Sequence, residues 1–184
     1  MSVQRRYTSA DLDLLPDIPG VRYEIIDGEL HVSKRPSWNH QRAGSRIWRA
    51  LENWNDETGL GEASEAPGLI FADDDDVAPD VVWISKARLA GALDTAGHLT
   101  TAPELVVEVL SPGTANVRRD RISKFDLYAR HGVQEYWIVD CGRRIVDVFR
   151  LEGTRLRPIG SLANDDILTS TLLPDFALPL RNIW

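Results

Sequence analysis

The chain has 184 residues, of which 43% are hydrophobic and 27% charged, and this composition predicts a single folded domain over residues 1–184. The formal net charge of −7 excludes a strongly basic coat for nucleic acid, although it leaves room for a local basic face. No apolar run approaches the roughly 20 residues that cross a bilayer, and the N-terminal segment lacks the apolar stretch of a signal peptide. Because Cys141 is the only cysteine, we expect a cytoplasmic protein without an internal disulfide.

Two helices and a hairpin are predicted in the first third of the chain. A short helix falls within residues 7–17, and a β-hairpin follows because Asp27-Gly28 fits a two-residue type I′ turn. A long helix is predicted over residues 38–57, with Ser37 as its cap. Its apolar residues recur at helical spacing and are expected to face the core: Ala43, Ile47, Leu51 and Trp54. His40 lies at the N-terminal end of this stripe.

The middle of the chain predicts three strands. Residues 68–85 indicate a strand, an acidic turn that we interpret as a solvated hairpin tip, and a second strand. Residues 104–111 predict the third strand. This order of elements predicts a mixed α/β sandwich in which helices flank a central sheet.

A helix and a hairpin are predicted in the last third. The helix runs through residues 114–131 and is terminated by Gly132, and the hairpin turns at Cys141-Gly142. The apolar, proline-punctuated tail, residues 170–184, is expected to dock on the body without long regular elements.

Each of two neighbouring strands carries a single acid in an otherwise apolar run. Glu108 shares one face of its strand with Val106 and Leu110, and an ionised carboxylate buried there costs several kcal/mol unless a cation or a proton compensates it. Asp80 repeats the pattern one strand earlier, and Pro79 interrupts the hydrogen-bond ladder just before it. Both acids therefore require a compensating partner.

Two carboxylates on neighbouring strands predict an oxygen-rich pocket that suits Mg²⁺ or Mn²⁺, whereas the chain offers no Cys/His cluster for zinc. Lys124, on the following helix, could reach the face that bears Glu108 and hold a water. The residues alone leave a second interpretation open. Glu108 and Lys124 could be a buried ion pair without chemistry, and Asp80 could cap a turn.

These residues also carry a resemblance. Pro79-Asp80 and Glu108-Val109-Leu110 resemble the motif of the PD-(D/E)XK nuclease superfamily. The chain is moreover similar, nearly end to end, to a bacterial family of restriction-endonuclease-like proteins formerly known only as a domain of unknown function. The similar stretches are RYEIIDGEL, PSWNHQR, VAPDVVWIS, APELVVEVLSPGT, RDRISKFDLYARHGVQEYWIVD and LLPDFALPL.

The resemblance implies a restriction-endonuclease-like sandwich with a mixed central sheet, flanking helices and the N-terminal hairpin. It implies Asp80 and Glu108 as metal ligands, the Val109 carbonyl as a third ligand, and Lys124 as the group that orients the attacking water. The superfamily usually places its lysine two residues after the glutamate, where this chain has Leu110. Lys124 on the helix is the residue that matches the lysine of the family.

Two further residues, His40 and Glu24, match recurrent positions of the family. The residues themselves also allow simpler roles. His40 could be a hydrogen-bonded histidine in the first helical turn, and Glu24 could pair across the hairpin with His31.

The activity implied by the resemblance is Mg²⁺-dependent hydrolysis of phosphodiester bonds in DNA. Arg118, Arg119 and Arg121 would contact phosphates, unless they form only a solvated helix face. A homodimer is expected by analogy, because a duplex has two strands to cut. Two other functions stay open: an inert nuclease-like module that binds DNA or protein, and a metal-dependent hydrolase of another phosphate ester.

Overall fold

The computed structural model describes residues 5–184; the first four residues, which belong to the segment in which we expect no signal peptide, lie outside this range. Helix α1 (Ser9–Leu12) begins after Thr8, whose backbone N–H donates to Asp11 Oδ2 at 2.9 Å. The short predicted helix is therefore confirmed. Within the described range, no helix is both long enough and apolar enough to cross a membrane.

The N-terminal hairpin forms as predicted. Strands β1 (Val21–Ile26) and β2 (Glu29–Lys34) pair antiparallel, with Glu24 opposite His31. Asp27 and Gly28 have φ angles of 52° and 74°, the left-handed conformation that a type I′ turn requires at both central positions. The turn thereby fixes the register that places the Glu24 side chain.

Helix α2 (Trp38–Thr58) begins at the predicted cap, where Ser37 Oγ accepts a hydrogen bond from the His40 N–H at 3.3 Å. All four residues of the predicted apolar stripe are buried, and His40 is buried with them. The helix ends at Gly59, which has a left-handed φ of 65°.

A four-stranded sheet has the order β2-β1-β5-β4, in which β4 is Leu69–Ala72 and β5 is Asp75–Val77. The acidic turn between β4 and β5 confirms the predicted hairpin, but the solvated interpretation is wrong for Asp75, which is 5% exposed. Its carboxylate accepts hydrogen bonds from Arg130 at 2.9 Å and from the Asp27 N–H at 2.8 Å. These donors compensate the burial of its charge.

The central sheet has six strands in the order β10-β9-β8-β7-β6-β3. The strands are β3 (Gly61–Glu65), β6 (Val81–Ser85), β7 (Leu105–Val109), β8 (Glu135–Asp140), β9 (Ile145–Glu152) and β10 (Arg155–Ala163). Only the β7–β8 pair is parallel, so the predicted mixed sheet is confirmed. A short helix α3 (Lys86–Leu89) follows β6.

Parallel strands need a crossover, and a helical segment makes the one between β7 and β8. It consists of α4 (Thr114–Arg118), a wider π-helical turn (Arg119–Ser123) and α5 (Lys124–His131). Gly132 ends it with a φ of 81°, as predicted. The π-helical turn is not foreseen by the sequence, and it lies immediately before Lys124.

The core lies on both faces of the central sheet. On one face α2 packs against β6, β7 and β8, and on the other α5 packs together with residues of the four-stranded sheet. Alternation along β7 confirms the predicted faces, since Leu105, Val107 and Val109 point toward α2. Val106 points the other way, toward Leu127 and Tyr128. Glu108 shares the face of Val106.

The C-terminal tail is more regular than expected. Strands β11 (Ile167–Ser170) and β12 (Leu173–Pro179) form a two-stranded sheet, and a single 3₁₀ turn (Leu180–Asn182) follows. These elements are short, and the tail docks on the core through Phe176, Leu178, Leu180 and Ile183, as expected. Pro174 and Pro179 lie in β12, and proline is tolerated at strand ends and on edges where no ladder donor is needed.

Candidate active site

A cleft of about 180 Å³ opens between the N-terminal hairpin, the first turn of α2 and the end of β7. Its polar lining includes the side chains of Arg22, His40, Asp80, Glu108, Arg119 and Lys124. The break between β5 and β6 contributes Asp80, since the chain leaves the four-stranded sheet at Val77 and joins the central sheet at Val81. The interruption predicted at Pro79 is thus what opens the cleft.

Lys124 links two carboxylates inside the cleft. Its Nζ donates to Glu108 Oε1 at 2.7 Å and lies 2.8 Å from Glu24 Oε1. All three side chains are at most 2% exposed. Tyr128, one helical turn after Lys124, donates its hydroxyl to the same Glu108 oxygen at 2.7 Å. Helix α5 therefore presents two hydrogen-bond donors to Glu108.

Glu24 connects this pair to the strand break. Its Oε1 also accepts the N–H of Ala78 at 3.0 Å, and its Oε2 lies 3.7 Å from the Arg119 guanidinium. Burial opposes ionisation of Glu24, but the charges of Lys124 and Arg119 keep its pKa below the ordinary value. Glu24 lies opposite His31 in the hairpin register, but its carboxylate contacts Lys124 and so belongs to the ionic cluster in the cleft.

Asp80 is held from two sides. Its Oδ2 accepts the N–H of Val109 at 2.8 Å and lies 3.2 Å from Nε2 of His40. Burial alone would raise the pKa of Asp80, but the hydrogen bond and charge of His40, the charge of Lys124 and the Val109 N–H lower it. The first-turn histidine of α2 is therefore a direct partner of Asp80. The prediction that Asp80 lies within a strand is wrong, because β5 ends at Val77 and β6 begins only at Val81.

The π-helical turn places one more ion pair behind Lys124. Arg119 Nε donates to Asp120 Oδ1 at 2.8 Å, and both side chains are at least nine-tenths buried. Tyr136, on β8, donates its hydroxyl to the Asp120 carbonyl at 2.9 Å. These bonds fix the turn against the central sheet and thereby fix the start of α5.

Negative charge exceeds positive charge in this cluster. Four carboxylates are buried in it, those of Glu24, Asp80, Glu108 and Asp120, together with two cations, Lys124 and Arg119. When all six are ionised they carry two excess negative charges between them, before the contacts of Asp80 with His40 at 3.2 Å and with Arg22 at 3.6 Å are counted. Such an excess is costly at low dielectric unless protons or a cation offset it.

Glu108 bears the consequence of this excess. Burial is the largest cause: against the opposing charge of Lys124, and together with the negative charges of Asp80, Asp120 and Glu24, it raises the pKa of Glu108 to about 8. For the Lys124 ammonium, the neighbouring charges outweigh burial. Burial would lower the pKa of the ammonium, but Glu108, Glu24 and Asp120 raise it above the ordinary value, so that Lys124 stays charged at neutral pH.

Two carboxylate oxygens are left for a ligand. Both hydrogen bonds to Glu108 fall on Oε1, and within residues 5–184 no donor bonds its Oε2. On Asp80, Oδ1 faces Arg22 only at 3.6 Å, beyond hydrogen-bond distance. The part of the chain that the structure describes contains no cluster of three or more Asp, Glu, His or Cys side chains in a metal-binding arrangement. A cation here would have few protein ligands, as Mg²⁺ commonly does.

The three arginines considered for phosphate contact are placed differently. Arg118 is exposed, whereas Arg121 donates to Asp147 on β9 at 2.8 Å. Arg119 is 9% exposed and is committed to Asp120 and Glu24, so its interpretation as part of a solvated helix face is wrong. Arg119 balances charge within the cluster instead.

Two members of the site are not identified by sequence reasoning. Tyr128 lies four residues after Lys124 and Asp120 four residues before it, so helical spacing puts both on the stripe that faces the strand acid. That spacing was available in the sequence as a signal for both residues. The pairing of Asp120 with Arg119 was not, because it depends on the π-helical turn.

Comparison with known proteins gives one family and a solved structure of the same fold. A model of the family described as "Uma2: Putative restriction endonuclease" matches residues 9–181. The crystal structure of a putative nuclease belonging to DUF820 from Anabaena variabilis superposes with a TM-score of 0.75 over 96% of each chain, at 17% identity. The two chains therefore share a fold.

A second solved structure is similar over only part of its own length. The type IIG restriction endonuclease BpuSI is similar over 64% of this chain and 13% of its own, with a TM-score of 0.39 and 17% identity, which is too low to support an argument. No curated protein matches this sequence.

Proposed function

Since the chain belongs to the Uma2 family of restriction-endonuclease-like proteins, we propose that it is a Mg²⁺- or Mn²⁺-dependent endonuclease that hydrolyses phosphodiester bonds in DNA. Asp80 and Glu108 would be its metal ligands and Lys124 the residue that positions the attacking water. We extend the proposal to a cytoplasmic homodimer, because a duplex presents two strands to cut. Sedimentation that shows only monomer at micromolar concentration would contradict the dimer.

One observation carries the proposal: Lys124 reaches Glu108 from a different element. The strand position where the superfamily has its lysine is occupied by Leu110, yet the Lys124 ammonium lies 2.7 Å from Glu108 Oε1. An ion pair without chemistry would not require the second acid, Asp80, to line the same cleft with an unbonded oxygen. The arrangement therefore favours a site over a purely structural pair.

The donor set fits a hard divalent cation. Glu108 Oε2 and Asp80 Oδ1 are available in the cleft, and the family resemblance adds the Val109 carbonyl as a candidate ligand. The excess of buried carboxylates over buried cations also suits a cation. Bound there, Mg²⁺ would neutralise charge on the phosphoryl oxygens and lower the pKa of water. Zinc would find no thiolate and, in His40, a single imidazole that is engaged with Asp80.

The side chains of the cleft divide the remaining work. Lys124 stays protonated, so it positions the water as a hydrogen-bond donor and does not accept its proton. Two of its three N–H bonds point to Glu108 and Glu24, which leaves one to donate into the cleft. The Val109 N–H and His40 keep the Asp80 carboxylate in one orientation, and preorganised charge of this kind acts without reorganisation cost.

The test is a cleavage assay on linear, supercoiled and single-stranded DNA with Mg²⁺ or Mn²⁺. Asp80→Asn and Lys124→Met should each lower cleavage at least 100-fold, because each removes a group that acts on the reacting centre. Asp94→Asn and Lys86→Met are matched controls, since Lys86 begins α3, Asp94 lies in the loop after it, and neither residue lines the cleft. Cleavage that survives both site substitutions, or a wild-type protein that cleaves no DNA, would contradict the proposal.

A further inference from the structure

An arginine-rich stripe runs along the solvent side of α2. Trp38, Arg42, Arg46 and Arg49 follow one another at spacings of four, four and three residues, so they share one face of the helix, which we call the arginine stripe. With Gln41 and Ser45 they line a shallow groove. At a rise of 1.5 Å per residue the stripe is roughly 16 Å long.

The positive charge of the stripe is not compensated. Within residues 5–184, neither Arg42 nor Arg49 makes a salt bridge, whereas Arg88 and Arg150 each pair with a glutamate. Arg46 donates a hydrogen bond to the backbone oxygen of Trp184. Its pKa is lowered, mainly by desolvation and also by the charges of Arg42 and Arg49. In a chain of net charge −7, two exposed arginines that make no salt bridge within residues 5–184, Arg42 and Arg49, indicate an anionic ligand. The nearest acid that bonds a residue of the groove is Glu65, which accepts from the Ser45 hydroxyl at 2.7 Å.

Trp38 marks the end of the stripe that is nearest the cleft. Its side chain is 79% exposed, while the other five tryptophans are buried or partly buried against the core. A large aromatic ring held in solvent at the edge of a basic surface is typical of nucleic-acid binding, where it packs against sugars or bases. On the opposite side of the same helical turn, His40 contacts Asp80.

The stripe is continuous with the cleft. Lys34 and Arg35 line the cleft mouth, and only Pro36 and Ser37 separate them from Trp38. Positive side chains therefore stand on both sides of the start of α2, at the cleft mouth and on the exposed face of the helix. We expect a phosphodiester backbone that enters the cleft to meet both sets.

We propose that the arginine stripe is the surface on which duplex DNA docks, with the strand that flanks the scissile bond lying along α2. This inference deepens the proposed function and rests on it for the identity of the substrate. Guanidinium groups bind phosphate in bidentate fashion, and 16 Å along a duplex corresponds to about five base-pair steps. A membrane surface fits less well, because Trp38 is the only apolar residue of the stripe.

The experiment measures binding of a fluorescein-labelled duplex of 20 base pairs by anisotropy, in an Asp80→Asn background so that cleavage does not consume the DNA. Arg42→Ala/Arg49→Ala should weaken binding at least tenfold at 0.1 M salt and reduce the slope of log K against log salt by about 2. Trp38→Ala should weaken binding with the slope unchanged. Arg155→Ala/Arg157→Ala, two exposed arginines on the far edge strand β10, should change neither quantity.

Unchanged affinity in Arg42→Ala/Arg49→Ala, or an equal loss in the β10 pair, would overturn the inference. So would wild-type binding to phosphatidylserine vesicles without binding to the duplex, which would assign the stripe to a lipid surface. A failure of the proposed function would be seen in a different measurement. It would appear as absent metal-dependent cleavage, and the stripe would still be upheld if DNA binding depended on Arg42 and Arg49.

Discussion

Under the proposed function, Glu108 would couple the charge of the cleft to its affinity for a cation. In the protein without metal, the pKa of this carboxyl is raised from 4.5 to about 8, so at neutral pH a proton occupies it. Since both donors bond Oε1, that proton belongs on Oε2, the oxygen that is otherwise left for a metal.

This competition predicts a pH-dependent metal affinity. A cation must displace the proton, so Mn²⁺ affinity should rise about tenfold per pH unit from pH 6 and level off above pH 8. Calorimetry in two buffers of different ionisation enthalpy should show release of close to one proton at pH 6.5. An affinity that does not change between pH 6 and 8 would contradict this account of Glu108.

Lys124 is predicted to stabilise the fold as well as to position water. Lys124→Met leaves the ionised carboxylate of Glu24 buried without its closest cation, which should cost about 3–5 kcal/mol of unfolding free energy in EDTA. Urea denaturation measures this loss. Adding Glu24→Gln to the variant should recover part of it, because one unpaired charge is then removed.

Lys86→Met is the matched control for this prediction, since Lys86 is exposed and should change stability by less than about 0.5 kcal/mol. If Lys124→Met unfolds at the same urea concentration as Lys86→Met, the buried ionic cluster does not stabilise the protein as argued. Loss of cleavage in that stable variant would then point to catalysis alone.

At the scale of elements, the stability of the helical crossover between β7 and β8 depends on the glycine that ends it. Gly132 adopts a φ of 81° and a Cβ there would meet no atom within 4 Å, so Gly132→Ala should cost about 1–2 kcal/mol through backbone strain alone. Gly160→Ala, also in open space but without a left-handed φ, should be nearly neutral.

Urea midpoints of the two glycine variants measure this difference, and cleavage per folded molecule should stay at the wild-type level in both. Equal destabilisation by the two substitutions would contradict the role of Gly132 as a helix terminator. A loss of activity in folded Gly132→Ala would instead show that the end of α5 controls the position of Lys124.

The same elements show what the sequence can and cannot predict. The type I′ hairpin, the span and buried stripe of α2, and the faces of β7 follow from local rules, and all are confirmed. Strands β3, β10, β11 and β12 were not predicted, because an edge strand or a proline-bearing strand lacks clear alternation. Strand β3 pairs with β6, which is separated from it in sequence, so tertiary packing selects that partner. Strands β10, β11 and β12 instead form local antiparallel pairs, β9–β10 and β11–β12, across short turns.

The candidate site follows the same division. Isolated acids in apolar strands identified Asp80 and Glu108, and helical spacing identified Lys124, because burying a charge has a large energetic cost wherever it occurs. Glu24 and His40 came from family resemblance rather than from their own pattern. Their contacts with Lys124 and Asp80 depend on how the hairpin and α2 fold over the sheet, which local sequence does not encode.

At the scale of the whole molecule, three segments far apart in sequence build one cleft around an excess of negative charge. The net charge of −7 is therefore unevenly spread, with four carboxylates in the cleft cluster and, on α2, Arg42 and Arg49, which make no salt bridge within residues 5–184. Binding of a divalent cation should offset the excess negative charge of the cleft and so reduce its repulsion of an approaching phosphate. Substrate affinity is expected to depend on metal for this reason.

The most direct test of this arrangement is a crystal of the protein soaked in Mn²⁺ and measured for anomalous scattering. The account predicts one strong peak within about 2.2 Å of Asp80 Oδ1 and Glu108 Oε2, with Lys124 Nζ still bonded to Glu108 Oε1. A cleft without a peak at saturating Mn²⁺ and pH 8, or a peak held only by other residues, would contradict it.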